Sequence, residues 1–282
     1  MNHRRDFLKM ATAGTLGLSA HVSKRAWAAN VLSTQGGARK IPLALIQFDS
    51  VPEQVERNLG KMEELAEKAA GAGAHWIMFH EGTLCDYTPR VRELAEKVPQ
   101  GPATTRMARL ARHLGCFITF GLSEHGDNRY HISQVFVGPK GFIYRYRKTW
   151  LWLEDKDEGY RNEWARYDPG TGPELFDLDG IRATCFICAD GEAPRCVERA
   201  AELRPQLVFY PNNRPYLPDF EVFGERAKTI GAPMLATNRV GRSWIHDCLG
   251  GCVVYSKSGE VLAKANREGK EEILHYTLEI ES

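Results

Sequence analysis

The sequence predicts one α/β domain of layered helices and mixed sheets, and three observations predict it. The first ordered stretch reads strand, helix, strand. Helical and strand-like runs then keep alternating to the end of the chain. Two hairpin signals, Gly138-Pro139-Lys140-Gly141 and Ser258-Gly259, add antiparallel strands to a sheet whose β-α-β units make it parallel.

The elements follow in order. Ile41 to Phe48 is a short apolar run that reads as a buried strand. From Pro52 to Ala72, Val55, Leu59, Met62, Leu65 and Ala69 recur at helical spacing, with glycines at 71 and 73 to stop the helix. His75 to Glu81 is the next strand and ends on a carboxylate. Ala103 to Leu114 reads as helix and Cys116 to Leu122 as strand. Tyr130 to Val137 and Phe142 to Arg147 flank the first hairpin turn. A charged and aromatic excursion without clean periodicity follows Lys148; its Trp150, Trp152, Tyr160 and Trp164 argue against disorder. Strand returns at Arg182 to Cys188, helix at Pro194 to Leu203, strand at Gln206 to Tyr210. Phe220 to Ile230 is helix, Pro233 to Asn238 strand, the second hairpin follows, and Glu272 to Leu278 is a last strand.

The first thirty residues differ from the rest. A basic start with Arg4-Arg5 before Asp6-Phe7-Leu8-Lys9, a weakly apolar middle and Ala26-Trp27-Ala28 read as a twin-arginine export signal. The expected division is a signal peptide over 1–28, a polar lead-in over 29–40 and a single domain over 41–282, in a periplasmic or secreted protein. The middle of the signal is too short and glycine-rich for a permanent span. The 37 Lys and Arg against 36 Asp and Glu supply no electrostatic case for nucleic acid or an anionic membrane surface. No internal repeat is visible in the sequence.

Seven cysteines are scattered rather than framed. "TCFICADGEAPR" (Thr184 to Arg195) raises the sharpest question, because Cys188 ends an apolar run three residues after Cys185. Three readings compete: a core thiol, a metal or redox pair, and an activated nucleophile. On a strand, residues three apart point to opposite faces, which is poor geometry for a bridge. Zinc would want a second cluster, and Cys248 and Cys252, separated around Gly250-Gly251, carry no flanking ligand pattern. No metal is expected.

Four residues at strand ends or in the excursion make a coherent chemistry: Glu81, Lys148, Glu163 and Cys188. A thiol is mostly protonated at neutral pH, and a carboxylate within reach can take its proton. A lysine nearby favours the thiolate and stabilises an oxyanion when a carbonyl or nitrile is attacked. The Ala189 N–H, at a strand-to-helix turn, is a second oxyanion donor.

These residues also carry a family resemblance. Phe79-His80-Glu81-Gly82, Arg147-Lys148-Thr149-Trp150-Leu151 and Ile187-Cys188-Ala189-Asp190 resemble the three catalytic blocks of the nitrilase (carbon–nitrogen hydrolase) superfamily. Tyr210-Pro211-Asn212, Ala236-Thr237-Asn238-Arg239-Val240-Gly241 and the closing hairpin match further, and the likeness runs from about Ile41 to Glu279. The resemblance implies a four-layer αββα sandwich without metal or organic cofactor, and a homodimer or larger assembly. It makes Cys188 the nucleophile, Glu81 its base and Lys148 the oxyanion stabiliser. Glu163, seven residues before Gly170, takes the second glutamate's place, with Glu154 and Glu158 as fallbacks.

Departures narrow the substrate. Ala189-Asp190 resembles the amidase and carbamoylase branches, whereas nitrilases usually carry Trp-Glu there. Glu192 stands where carbamoyl-amino-acid hydrolases often have arginine, so a neutral or cationic amide or carbamoyl compound is expected, unless Arg214 compensates. Asn212 and Arg214 are placed at the substrate, with Trp150 and Trp164 walling the pocket and Tyr87 and Tyr216 joining them. His80 replaces the usual proline and reads as structural. Arg195 and Glu198 exchange the usual charges and are expected to pair along their helix. The rivals are a nitrilase, an acyl transferase, and a non-catalytic ligand-binding relative.

Overall fold

The computed structural model describes residues 37–153, 162–214, 219–243 and 247–281. The export signal, most of the lead-in, Glu154, Glu158, Tyr160 and Tyr216 lie outside the described residues.

The first half runs β1 (Arg39–Gln47), α1 (Val55–Gly71), β2 (Trp76–Met78), the single turn α2 (Val91–Leu94), α3 (Pro102–Leu114), β3 (Phe117–His125) and the hairpin β4 (Tyr130–Gly138) and β5 (Gly141–Arg147). The second runs β6 (Phe176–Leu178), β7 (Ile181–Cys185), α4 (Pro194–Glu202), β8 (Leu207–Pro211), α5 (Phe220–Ile230) and β9 (Met234–Thr237). A small ribbon of β10 (Val240–Arg242) and β11 (Asp247–Leu249) precedes the hairpin β12 (Val253–Tyr255) and β13 (Val261–Lys264), and β14 (Glu272–Ile280) closes the chain.

Two six-stranded sheets result, ordered β14-β1-β2-β3-β4-β5 and β13-β12-β9-β8-β7-β6. Each has a parallel core of three strands, β1-β2-β3 or β7-β8-β9, because a helix returns the chain between them. Each core is flanked by an antiparallel hairpin and, on its other side, one antiparallel strand. The topology is thus used twice, although no repeat is visible in the sequence. Topology asks only for a pattern of apolar strands and amphipathic helices, and that pattern survives complete divergence of residues.

The strand period of two sorts side chains into layers. Leu43 and Leu45 of β1 join Ala183, Leu207 and Phe209 of the other sheet in one core. Their neighbours Ala44 and Ile46 join Leu59, Met62 and Leu65 of α1 and Met107 and Ala111 of α3 in the other. Aromatic rings lock the sheets face to face, with Phe136 5.1 Å from Phe209 and 4.7 Å from Phe176 between centroids. Ala200 of α4 and Phe223, Ala227 and Ile230 of α5 cover the second sheet. The layers are α1/α3, sheet, sheet, α4/α5: the predicted four-layer sandwich.

Two of the boundaries that differ from the sequence reading bear on the candidate site. β2 stops at Met78 and β7 at Cys185, so neither Glu81 nor Cys188 ends a strand. Each sits three residues beyond, where the chain has left the sheet and turns back over it. An apolar run marks burial, and Phe79, Phe186 and Ile187 are fully buried outside the ladders.

Candidate active site

Three segments leaving strand ends converge between the sheets. Past β2, the Phe79 N–H donates to the Thr119 carbonyl at 2.8 Å, and the Glu81 N–H to the Asn212 carbonyl at 3.3 Å. Glu81 is therefore held by a neighbouring strand of its own sheet and by the end of β8 in the other. Lys148 directly follows β5. Its N–H donates to Ile132, and its carbonyl accepts the Gly170 N–H, both at 2.8 Å. A Cβ at 170 would lie 2.3 Å from the Arg147 oxygen, so only glycine lets the returning excursion press against Lys148.

The excursion supplies the third group. Glu163 opens a 3-10 turn, Glu163–Ala165, and exchanges main-chain and side-chain bonds with Trp152. Its N–H donates to the Trp152 carbonyl at 3.0 Å, and its Oε2 accepts the Trp152 N–H at 2.7 Å. Its Oε1 then meets Lys148.

Lys148 Nζ lies 2.9 Å from Glu81 Oε1 and 2.9 Å from Glu163 Oε1. Lys148 and Glu81 are both 0% exposed, and Glu163 is 3%. The second oxygen of Glu81 has no hydrogen-bond partner among the described residues. A buried acceptor left open in this way is costly, and it marks where a donor from outside would be received. Burial pulls the Lys148 ammonium down, but Glu163, Glu81 and Cys188 outweigh it and hold the lysine charged. Burial raises the Glu163 carboxyl, with Lys148 opposing.

Cys188 begins another 3-10 turn, Cys188–Glu192, with φ of +46°, a left-handed conformation that costs a residue with a side chain about 1–3 kcal/mol. It is half-buried. Burial pushes its thiol up to about 12; Arg214 opposes this most, and Glu81, Lys148 and Glu163 are all close enough to contribute. A thiol so placed keeps its proton until a base takes it.

Asp190 ties this turn to the lysine segment. Its carboxylate accepts the N–H groups of Ile187 at 2.9 Å, Thr149 at 2.9 Å and Trp150 at 2.5 Å, and the Tyr146 hydroxyl at 2.8 Å. The sequence reading used Asp190 only to choose a branch. Its clamp was missed because the donors come from a segment forty residues away.

The remaining sequence-selected residues divide. Asn212 is buried, with Nδ2 donating to the Tyr210 carbonyl at 2.8 Å and Oδ1 accepting from Arg214 Nε at 2.9 Å. Ala189 is buried and adjacent to Cys188. Arg214 is buried, ion-paired with Glu192 and bonded to the Cys188 carbonyl. Trp150 and Trp164 stand on the excursion about half exposed, and the Trp164 indole N–H donates to the Leu151 carbonyl at 3.0 Å. Arg195 and Glu198 are both exposed and form no ion pair among the described residues, because neither has burial to fix its side chain. All seven cysteines are free thiols, and Cys185 is fully buried.

His80 is structural. Its Nδ1 lies 2.8 Å from the Glu81 carbonyl, the ring is fully buried, and burial, followed by Arg239, lowers it to about 3. The unfolded chain binds this proton below about 6.5 and the native protein does not, so stability falls as pH falls from 6.5 toward 3. Between pH 6.5 and 5 the expected loss is about 2 kcal/mol. Urea unfolding of the wild type and His80→Asn over this interval checks it. The wild-type slope should exceed the variant's by about one proton, and equal slopes would contradict the assignment.

Residues 42–282 match the family model described as carbon-nitrogen hydrolase. A nitrilase of Pyrococcus abyssi is 29% identical over 240 residues, covering 83% of this chain and 87% of the relative. An (R)-stereoselective amidase of a Pseudomonas species is 26% identical over 245 residues, 84% of this chain and 85% of the relative. Among solved structures, an amidase of Nesterenkonia AN1 from the nitrilase superfamily superposes with a TM-score of 0.74 at 21% identity, over 88% of this chain and 93% of that one. That likeness concerns the fold; the family match covers most of the sequence. The chain belongs to the carbon–nitrogen hydrolase family and is a hydrolase acting on C–N bonds.

Proposed function

We propose that this protein is a thiol amidohydrolase that cleaves a non-peptide C–N bond of an amide or N-carbamoyl compound through a Cys188 thioester. The observation that carries the reading is the buried lysine bonded at 2.9 Å to two carboxylates, beside a cysteine held on a left-handed turn.

The Cys188 thiol gives its proton to Glu81 as sulfur attacks the carbonyl carbon. The oxyanion accepts hydrogen bonds from Lys148 Nζ and the Ala189 N–H. As the tetrahedral intermediate collapses, the C–N bond breaks and Glu81 protonates the departing amine or ammonia. Water then gives a proton to Glu81 and attacks the thioester. Collapse releases the acid, and Glu81 returns the proton to the Cys188 sulfur. Glu163 keeps Lys148 charged and in place.

Because Glu192 is paired with Arg214, neither charge stands whole before a substrate, which favours a neutral amide. An (R)-stereoselective amidase and an Arabidopsis thaliana N-carbamoylputrescine amidase among the relatives support the class. The Pyrococcus nitrilase favours a second reading, in which the same thiol attacks a nitrile. We also place the mature protein in the periplasm or outside the cell, on the strength of Arg4-Arg5 and Ala26-Trp27-Ala28, as a homodimer or larger.

The test is ammonia release from short aliphatic amides, aromatic amides, N-carbamoyl amines and nitriles. Turnover of an uncharged amide or carbamoyl compound is expected. Activity confined to nitriles would replace the first reading by the second, and no turnover of any class would contradict both.

A further inference from the structure

Cys188 presents its sulfur to the site, but its carbonyl is held from behind. The Tyr210 hydroxyl donates to it at 2.8 Å and Arg214 Nη2 at 2.9 Å, and these two donors lie 3.1 Å from each other. The rest of the guanidinium is committed. Nε donates to Asn212 Oδ1 at 2.9 Å, Nη1 to the Glu192 carboxylate, and the plane lies 5.1 Å from the centre of the Phe223 ring. The turn is shaped for this contact: a Cβ at Gly191 would stand 2.3 Å from the Tyr210 hydroxyl oxygen.

Across a trans peptide the carbonyl and the following N–H point in opposite directions. Fixing the Cys188 carbonyl on Tyr210 and Arg214 therefore fixes the Ala189 N–H facing away from them. Few arrangements hold a peptide dipole more firmly than two donors, one of them charged.

We propose that Arg214 is a positioning residue for this reaction: with Tyr210 it aims the Ala189 N–H at the developing oxyanion, and Glu192 sets how much of its charge reaches the Cys188 sulfur. The assignment rests on Cys188 being the nucleophile. It replaces the expectation that Arg214 binds a substrate carboxylate. The charged and titratable groups facing Cys188 are Glu81, Lys148, Glu163, Arg214, Tyr87 and Tyr210, with Glu192 behind Arg214 as its ion-pair partner, and of the cations Arg214 opposes the burial of the thiol most.

The test combines alkylation of Cys188 by iodoacetamide across pH with kcat and KM on an amide, using the full mature chain. Alkylation follows the thiolate, so it reads the charge balance without any substrate. Arg214→Met is expected to move the profile to higher pH and to slow alkylation at pH 8 about tenfold, the equivalent of one pH unit. Glu192→Gln is expected to move it the other way. Damage to the fold does not produce opposite shifts from two partners of one ion pair. Tyr210→Phe should leave the alkylation profile in place and lower kcat about tenfold with KM little changed, because the Ala189 N–H that it aims meets the oxyanion only in the transition state. Arg214→Lys should restore the profile but not kcat, because an ammonium lacks the fork.

Shifts of the same sign in Arg214→Met and Glu192→Gln, or none, would overturn the electrostatic half. Wild-type kcat in both Tyr210→Phe and Arg214→Lys would overturn the positioning half. Opposite alkylation shifts in the two variants, together with a wild type that turns over no amide, would sink the hydrolase reading, and with it the aiming of Ala189, while the charge coupling to Cys188 would stand.

Discussion

Cys188→Ala is expected to lower kcat by about 10⁴-fold or more, with the fold intact. The covalent route disappears with the sulfur, and water attacking directly has only the oxyanion donors to help it. The stability cost should stay below about 1 kcal/mol, because Cys188 is half-buried and the substitution removes one atom from a turn held by other groups. Cys185→Ala is the matched control. Cys185 is 0% exposed in the core between the sheets, so its loss should cost about 1 kcal/mol of stability and leave kcat within a few-fold. Ammonia release and thermal unfolding of the two variants separate chemistry from packing. Comparable kcat losses in both would contradict the assignment.

Lys148→Met is expected to damage both properties at once. The ammonium is the shared partner of two carboxylates, and all three groups are buried. Removing it leaves Glu81 and Glu163 facing each other without compensation, which for a buried ionic cluster costs about 3–5 kcal/mol. The oxyanion loses its charged donor in the same stroke, worth roughly 10²–10³ in kcat. The double variant Lys148→Met/Glu163→Gln should regain much of the stability, because one of the stranded charges is gone, and none of the activity. Urea midpoints and kcat for the single and double variants give this cycle. A single variant as stable as the wild type would contradict the role of Lys148 as the shared buried partner of the two carboxylates.

Much of this was legible in the residues. Strand and helix positions followed from apolar periodicity, and the hairpins from Gly138-Pro139-Lys140-Gly141 and Ser258-Gly259. Glu81, Lys148, Glu163 and Cys188 could be singled out because each lies just past an apolar run or in a long aromatic excursion. Their order along the chain and a family resemblance added the roles. What remained hidden depends on distance in space. Asp190 gathers N–H groups from its own turn and from a segment forty residues away, and Arg214 turns inward to Glu192 and a carbonyl oxygen; neither long-range contact leaves a local pattern. The repeated topology was invisible because burial constrains the polarity of a strand, not its residues. The Arg195 and Glu198 pairing failed for the reverse reason: helical spacing brings two side chains near, but only burial or geometry makes them meet.

The central claim is a covalent acyl group on Cys188. Intact mass after rapid quenching, with a slowly hydrolysed amide and the peptide then mapped, tests it most directly. An adduct of the acyl mass less one hydrogen, on Cys188 and lost on standing in water, is the predicted result. Turnover with no adduct under single-turnover conditions, or an acyl group mapped to any other residue, would contradict it.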